Sequence, residues 1–245
     1  MLGTLFGRPS QWPQHDLIGY SDEFDAPLTL EGYRCGVFPM PLNGPEMGWW
    51  SPMDRGLLPV HGLHVPRSLR KSAARYSTTV DTAFSDVMQR CADPNRNGAW
   101  IDTRIATVYA QLAAAGWAHS VEVWDGDGEL VGGLYGVHVG GLFAGESMFH
   151  DSARGRDASK TALIRLCLQL DALGVQLLDV QWLTEHLGTL GAYEVPRGEY
   201  LRRLSAAVEL PTRQWVPGGR LRGAELTGAW AAMQRRQADI GRLGH

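Results

Sequence analysis

The stretch "HSVEVWDGDGELVGGLYGVHVGGLFAGESMFH", residues 119–150, decides the fold. In "HSVEVWD" polar and apolar residues alternate, the period of a strand that buries one face. "DGDG" (125–128) is a hairpin turn, because aspartate and glycine tolerate the backbone angles of a tight return. "ELVGGLYGVHV" is strand-like again, "GG" (140–141) turns once more, and "LFAGESMF" (142–149) follows. Three successive antiparallel strands are the consequence. The last one contains an acid, Glu146, among small and apolar residues. A carboxylate taken from water costs on the order of several kcal/mol unless it is solvated, paired or used.

Upstream, the spacing of Phe84, Val87, Met88 and Cys91 predicts a helix, with Asp81 as its N-cap. A second helix runs from Asp102 to Ala115 and stops at Gly116. Downstream, "DASKTALIRLCLQLDALG" puts Leu163, Leu166, Leu170 and Leu173 on one helical stripe that ends at Gly174. "VQLLDVQWL" then returns as a strand. Helix, antiparallel strands, helix, strand is the order of an acetyltransferase-like α/β (α+β) class, a mixed sheet with flanking helices. Fold of itself does not settle function. The first sixty or so residues are rich in Gly, Pro and Trp with frequent turn signals, so a small irregular N-terminal domain is expected. The expected division is therefore a small N-terminal domain over 1–65, the catalytic domain over 66–222 and a C-terminal tail over 223–245. In the tail, Leu226, Trp230, Met233 and Ile240 fit a short amphipathic helix beside Arg235 and Arg236, read as a packed tail or a docking arm.

Of the 245 residues, 44% are hydrophobic and 20% charged, an ordinary globular balance. No apolar run approaches the roughly 20 residues that span a bilayer, and no secretory leader is evident, so a cytoplasmic protein is expected. The net charge of −3 argues against indiscriminate coating of nucleic acid and leaves room for a local basic patch. Cys35, Cys91 and Cys167 lack metal-site spacing and read as reduced structural thiols.

On a strand, alternation puts Asp179 and Gln181 on one face and Leu178, Val180 and Trp182 on the other. An acid beside an amide either caps nearby backbone or forms a site. Glu146, expected in the same sheet, favours a site. "GESMF" lacks the second glycine of a nucleophile elbow, which argues against Ser147 as a nucleophile. His119, His138, His150 and His186 have no zinc-site spacing. The loop "HDSARGRDASK" (150–160) lies where acetyltransferases cradle a pyrophosphate, yet it has only Gly155, which weakens a coenzyme A site. Arg154 and Arg156 remain candidates to meet an anion. Arg67, Arg70, Lys71 and Arg75 form a basic helical stripe that either follows a phosphate backbone or is simply a solvated face. Trp49, Trp50, Trp100 and Tyr109 either stack bases or fill the core.

Nine motifs, "GVFP", "WWSP", "RSLRK", "AHSVEVWD", "LVGGLYGV", "GESMF", "ASKTAL", "LLDVQ" and "LGA" followed by "VPR", occur in this order between about Tyr33 and Val216. Together they resemble the leucyl/phenylalanyl-tRNA–protein transferase family. The resemblance implies a cytoplasmic aminoacyltransferase of the N-end rule pathway of protein degradation. Such a leucyltransferase moves Leu or Phe, sometimes Met, from aminoacyl-tRNA to the N-terminal Arg or Lys of acceptor proteins. By resemblance, Asp179 and Gln181 are the catalytic pair and Glu146 contacts the aminoacyl group. Met148, Leu134, Leu163, Leu166 and Leu178 wall the side-chain pocket, Trp100 and Tyr109 lie near the terminal adenosine, and Arg67, Arg70, Lys71 and Arg75 bind tRNA.

No cofactor, metal or membrane is implied, since aminolysis of an ester is downhill and alignment alone contributes about 7–11 kcal/mol. Asp179 orients Gln181 or acts itself as a general base; both remain open. A pocket of unbranched and γ-branched side chains favours Leu, Phe and Met over Ile and Val, by about 1–3 kcal/mol. The chain departs from the family pattern at Met40, where an aromatic is common, at "GYSDEFD" for "GGDLS", at Val180 for cysteine, and in a longer 150–160 loop. Two other classes compete: an acyl-CoA-dependent N-acyltransferase, and a non-enzymatic module that binds tRNA or protein N-termini.

Overall fold

The computed structural model describes residues 6–96, 98–215 and 219–243. Val216, where the family resemblance was expected to end, and the outermost residues of the two terminal units lie outside the described residues. Strands β1 (Leu17–Ser21), β2 (Phe38–Pro41) and β3 (Met47–Trp50) form a small antiparallel sheet in the order β1-β3-β2. Helix α1 (Ala26–Cys35) starts at Asp25, whose carboxylate accepts the Leu28 amide. It stops at Gly36, with φ 87°. Only glycine takes that left-handed angle without steric cost.

The larger sheet holds β4 (Asp54–Leu57), β5 (Ser77–Val80), β6 (Ala118–Trp124), β7 (Leu130–Val139), β8 (Leu142–His150), β9 (Leu177–Gln181), β10 (Tyr193–Pro196) and β11 (Leu221–Arg222). Their spatial order is β10-β4-β9-β8-β7-β6-β5-β11, and all pairs are antiparallel except β8 with β9. The remaining helices are α2 (Arg67–Ala73), α3 (Phe84–Cys91), α4 (Thr103–Ala114), α5 (Ala158–Leu173), α6 (Glu185–Thr189), α7 (Arg197–Val208) and α8 (Gly223–Leu243). On one face α2, α5 and α8 bury Leu69, Ile164, Leu166, Trp230 and Met233 against Val121, Leu134 and Phe143. On the other, α1, α3, α4 and α7 bury Tyr33, Val87, Tyr109 and Leu204 against Val137, Leu142 and Ala144. The chain thus adopts the expected α/β (α+β) class, a mixed sheet between flanking helices.

Signals that close within a few residues fold as their sequence predicts. The "DGDG" turn is held by Asp125, whose carboxylate accepts the amides of Asp127 and Glu129. Asp102 caps α4 by accepting the Ile105 amide, and α5 ends at Gly174 with φ 69°. Asp81 does not cap α3. Helix α3 starts after Ala83, and Asp81, at φ 55°, turns its carboxylate to the Ser120 amide and to His119 Nδ1, both at 2.8 Å. A partner on the neighbouring strand outcompeted the local cap. Arg75 also lies beyond the end of α2 instead of on it. In the tail Leu226, Trp230 and Met233 are buried, whereas Ile240 is exposed.

Two departures from regular strand geometry shape the centre of the sheet. The parallel strands β8 and β9 pair only from Leu142 with Leu177 to Ala144 with Asp179. Beyond that point Gly145 faces Gly136 and Ser147 faces Tyr135, so Glu146 is an extra residue without a partner. Such a bulge bends the strand and re-aims side chains. As a result Met148 packs with the Leu134 side of the sheet, while Glu146 reaches Tyr109 on the other. Strand β9 ends at Gln181, at φ 58°. The two strands part, and a cavity opens between them.

The bulge depends on a glycine. A Cβ on Gly136 would sit 2.3 Å from the Ala144 carbonyl oxygen and 2.5 Å from the Phe143 ring. Gly136→Ala is therefore expected to cost about 1–3 kcal/mol by overpacking, read as a lower melting temperature. An unchanged melting temperature would show that the strands at the bulge are not clamped.

Candidate active site

The site starts from a fully buried ion pair. Arg55 on β4 and Asp179 on β9 are 1% and 0% exposed, and the guanidinium binds the carboxylate with both prongs, Nε to Oδ1 at 2.8 Å and Nη2 to Oδ2 at 2.6 Å. Tyr200 on α7 donates its hydroxyl to Asp179 Oδ2 at 2.9 Å. Arg55 Nη1 donates to the Gly36 carbonyl, and the guanidinium lies over the rings of Tyr200 and Phe38. Burial alone would lower the Arg55 pKa, but Asp179 outweighs it and holds the pKa above its ordinary value. Every strong acceptor direction of Asp179 is engaged, because Oδ1 also takes the Gln181 backbone amide at 2.9 Å. This last bond closes a tight turn that keeps Gln181 left-handed, a conformation that costs a non-glycine residue about 1–3 kcal/mol.

From that turn the Gln181 side chain donates Nε2 to Glu146 Oε1 at 3.0 Å. The other carboxylate oxygen accepts the Tyr109 hydroxyl at 3.0 Å, and Tyr109 in turn is hydrogen-bonded to Tyr33. Burial pushes the Glu146 pKa up to about 7. The tyrosine hydrogen bonds and Arg55 act against that rise, and the nearby Asp179 charge adds to it. Burial, then the charge of Glu146, pushes both tyrosine hydroxyls well above their ordinary range. Glu146 is therefore a carboxyl that changes charge near neutrality, held by fixed donors. The Gln181 amide oxygen has no partner among the described residues.

Glu146 and Gln181 line a cavity of about 360 Å³. Leu134, Met148, Leu163, Leu166 and Leu178 form an apolar wall, with Phe38, Met40, Trp100 and Trp182 on another part of the lining. The structure thus brings together all five expected wall residues, Trp100, Glu146 and Gln181. Asp179 lies behind the cavity, touching Arg55 and not open space. Tyr109 does not line the cavity: its ring is fully buried, and its hydroxyl supports Glu146 from behind. Trp49 is core, with its indole N–H donated to Ser21, whereas Trp50 meets Trp182 edge-on. Arg67, Arg70, Lys71 and Arg75 are exposed around α2, outside the cavity. Arg55, Tyr200 and Tyr33 were not anticipated. A lone arginine in the apolar run "GLLPV" and its flanks was the available signal for Arg55, but nothing local named its partner 124 residues away.

Residues 57–205 match the family described as leucyl/phenylalanyl-tRNA protein transferase, and residues 22–53 match its N-terminal domain. The chain belongs to the leucyl/phenylalanyl-tRNA protein transferase family. It is 44% identical over 197 residues to the leucyl/phenylalanyl-tRNA–protein transferase of Afipia carboxidovorans, covering 78% of this chain and 85% of that one. It is 46% identical over 185 residues to the protein of the same name from Herpetosiphon aurantiacus, covering 74% and 93%. Among solved structures, that of L-PGS from Bacillus licheniformis aligns with 62% of this chain and 51% of its own, at 12% identity and a TM-score of 0.36. The transferase family match covers the segments that carry Arg55's strand partner Asp179, Gln181 and Glu146, and ends before α8.

Breaking the pair at the base of the site has a defined cost. Asp179→Asn leaves the Arg55 charge buried without its counter-ion, and a loss of about 3–5 kcal/mol is expected, measured by urea unfolding at pH 7. Tyr200→Phe removes one hydrogen bond to the same carboxylate and is expected to cost about 1.5–3 kcal/mol. Equal stability of Asp179→Asn and the wild-type chain would mean that the pair does not hold the site.

Proposed function

We propose that this protein transfers leucine or phenylalanine from aminoacyl-tRNA to the N-terminal amine of acceptor proteins that begin with Arg or Lys, marking them for degradation in the cytoplasm. Among the described residues no helix is long and apolar enough to cross a membrane. The observation that carries the proposal is an apolar cavity with Glu146 and Gln181 at its edge, both fixed by hydrogen bonds from behind. The α-amino group and the side chain of an amino acid leave the same carbon. The acid beside the apolar wall is therefore suited to the amine of the residue whose side chain fills the cavity, the aminoacyl group. That leaves Gln181 for the acceptor.

In this mechanism the acceptor amine attacks the ester carbonyl, the new C–N bond forms and the bond to the ribose oxygen breaks. The amine proton ends on that oxygen. The Gln181 amide oxygen orients the amine through a hydrogen bond, a group whose pKa near 8 already leaves a usable free-base fraction. Asp179 acts as a positioning residue, because its lone pairs are committed to Arg55, Tyr200 and the Gln181 amide. Trp100 and Trp182 offer aromatic surface for the terminal base, where Met40 stands in place of the common aromatic. An acyl-CoA donor is less well served. In the 150–160 loop a Cβ on Gly155 would lie 2.2 Å from the Val131 carbonyl oxygen, and Arg154 is tied to Asp125 and Asp127.

The deciding assay incubates the protein with leucyl-, phenylalanyl- or isoleucyl-tRNA and a peptide that begins with Arg, then weighs the peptide. A gain of one Leu or Phe residue, with isoleucine transferred at least about tenfold less well, is expected. A response to acetyl-CoA and none to charged tRNA would overturn the proposal. The pH profile tests Glu146. Its ionised form is the one that binds an ammonium, so kcat/KM is expected to rise with pH through about 7. Glu146→Gln is expected to remove that limb and raise KM for the aminoacyl-tRNA. A limb that persists in this variant belongs to another group.

A further inference from the structure

The loop that joins β8 to α5 carries a second, charged recess that the transfer chemistry above does not use. His150, Arg156, Ser159, Lys160 and His186 line it, and it shares Met148 and His186 with the reaction cavity. Asp157 is the acid in its wall, but that carboxylate is committed to Ser72 Oγ at 2.8 Å and Lys160 Nζ at 3.1 Å. Two permanent cations therefore face one occupied anion. The balance is positive before either histidine gains a proton. Burial, followed by the charges of Lys160 and His150, holds His186 below its ordinary pKa, which places these basic groups close enough to repel one another.

Ser159 supplies an independent sign. It is 6% exposed, it lines the recess, and its hydroxyl has no hydrogen-bond partner among the described residues. The hydroxyl is not sealed in the core but reachable from the recess, where it is free to donate to a ligand oxygen. The amides of Ser159 and Lys160 belong to the first turn of α5, where no helical acceptor exists for them. The recess is also held rigidly against the basic helix. Tyr76 donates its hydroxyl to the Arg154 and Arg156 carbonyls at 3.2 and 2.8 Å, and Ser72 on α2 holds Asp157. Helix α2, which carries exposed Arg70 and Lys71, is therefore tied to the recess through Ser72, and the recess adjoins the cavity.

On the tRNA-dependent reading proposed above, we infer that this recess is a phosphate subsite for the phosphodiester backbone next to the aminoacylated end of the tRNA. Lys160 and Arg156 supply charge, and Ser159 donates a hydrogen bond to a phosphate oxygen. A phosphate here extends the basic track of α2 to the mouth of the cavity, so the ester is delivered with its backbone anchored on one side. An acceptor that begins with Arg or Lys is a poor occupant, because like charges oppose its entry.

The test compares two minimal donors, leucyl-adenosine, which has no phosphate, and leucyl-pCpA, which has two. With the full chain and a peptide that begins with Arg, wild type is expected to favour leucyl-pCpA by about tenfold or more in KM, the scale of a charge-assisted hydrogen bond. In Lys160→Ala that preference is expected to fall at least about fivefold, and in Ser159→Ala about threefold, by the same reasoning. The wild-type comparison needs no variant to fold. Equal use of the two donors by wild type, or an equal loss on both donors in Lys160→Ala, overturns the subsite. So does a change in KM for the peptide alone, which would make the recess part of the acceptor site. Failure of wild type with leucyl-tRNA itself is a separate result that removes the transferase reading.

Discussion

The buried pair of Arg55 and Asp179 is the constraint on which the centre of this molecule depends. Two charges taken from water cost several kcal/mol each, and their attraction offsets this only when geometry is good and the remaining lone pairs are satisfied. Here both conditions hold, with two parallel N–H···O bonds, a tyrosine hydroxyl and a backbone amide on one carboxylate. A pair of this kind contributes little net stability over an apolar replacement. Its effect is on register. It ties β4 to β9 across 124 residues and also holds α7 through Tyr200 and the end of α1 through the Gly36 carbonyl.

Everything nearer the cavity is suspended from that pair. Asp179 keeps Gln181 in a left-handed turn, Gln181 holds Glu146, and Glu146 is the extra residue of a bulge braced from the other side by Tyr109 and Tyr33. Two local distortions, one in each of two parallel strands, open the sheet at the place where polar groups are required. The strain is stored where the chemistry is proposed and is balanced by hydrogen bonds behind it. Preorganised donors and acceptors need not reorganise when charge moves, which is why such sites work in dry surroundings.

The same construction separates roles that look alike in a list of residues. Of two acids near the cavity, Asp179 is locked by an arginine, while Glu146 is half-buried at the cavity wall without a cation of its own, and desolvation lifts its pKa to about 7. Environment, not residue type, sets two acids of one site apart. Of the tyrosines, Tyr109 is spent on support and Tyr135 lines the cavity, where it joins Trp100, Trp182 and Phe38 as aromatic contact.

The amino-acid sequence by itself determined the elements whose signals are local. Alternation in 119–124, the "DGDG" turn, the Asp102 cap and the stripe that ends at Gly174 each act within a few residues, so strand, turn and helix form where the sequence predicts them. The family, too, was legible, because ordered motifs need no coordinates. What only the tertiary structure decided were the contacts that join distant segments. Strand alternation predicts where Gln181 and Met148 point only while the strand stays regular, and the bulge at Glu146 and the left-handed Gln181 broke that period through partners on other elements. Asp81 has the composition of a cap, but its carboxylate found a neighbouring strand. Arg55 is an isolated charge in sequence and becomes the anchor of the site only when folding brings Asp179 within 2.6 Å of it. Periodicity carries information about neighbours along the chain; pairing, burial and charge balance depend on neighbours in space.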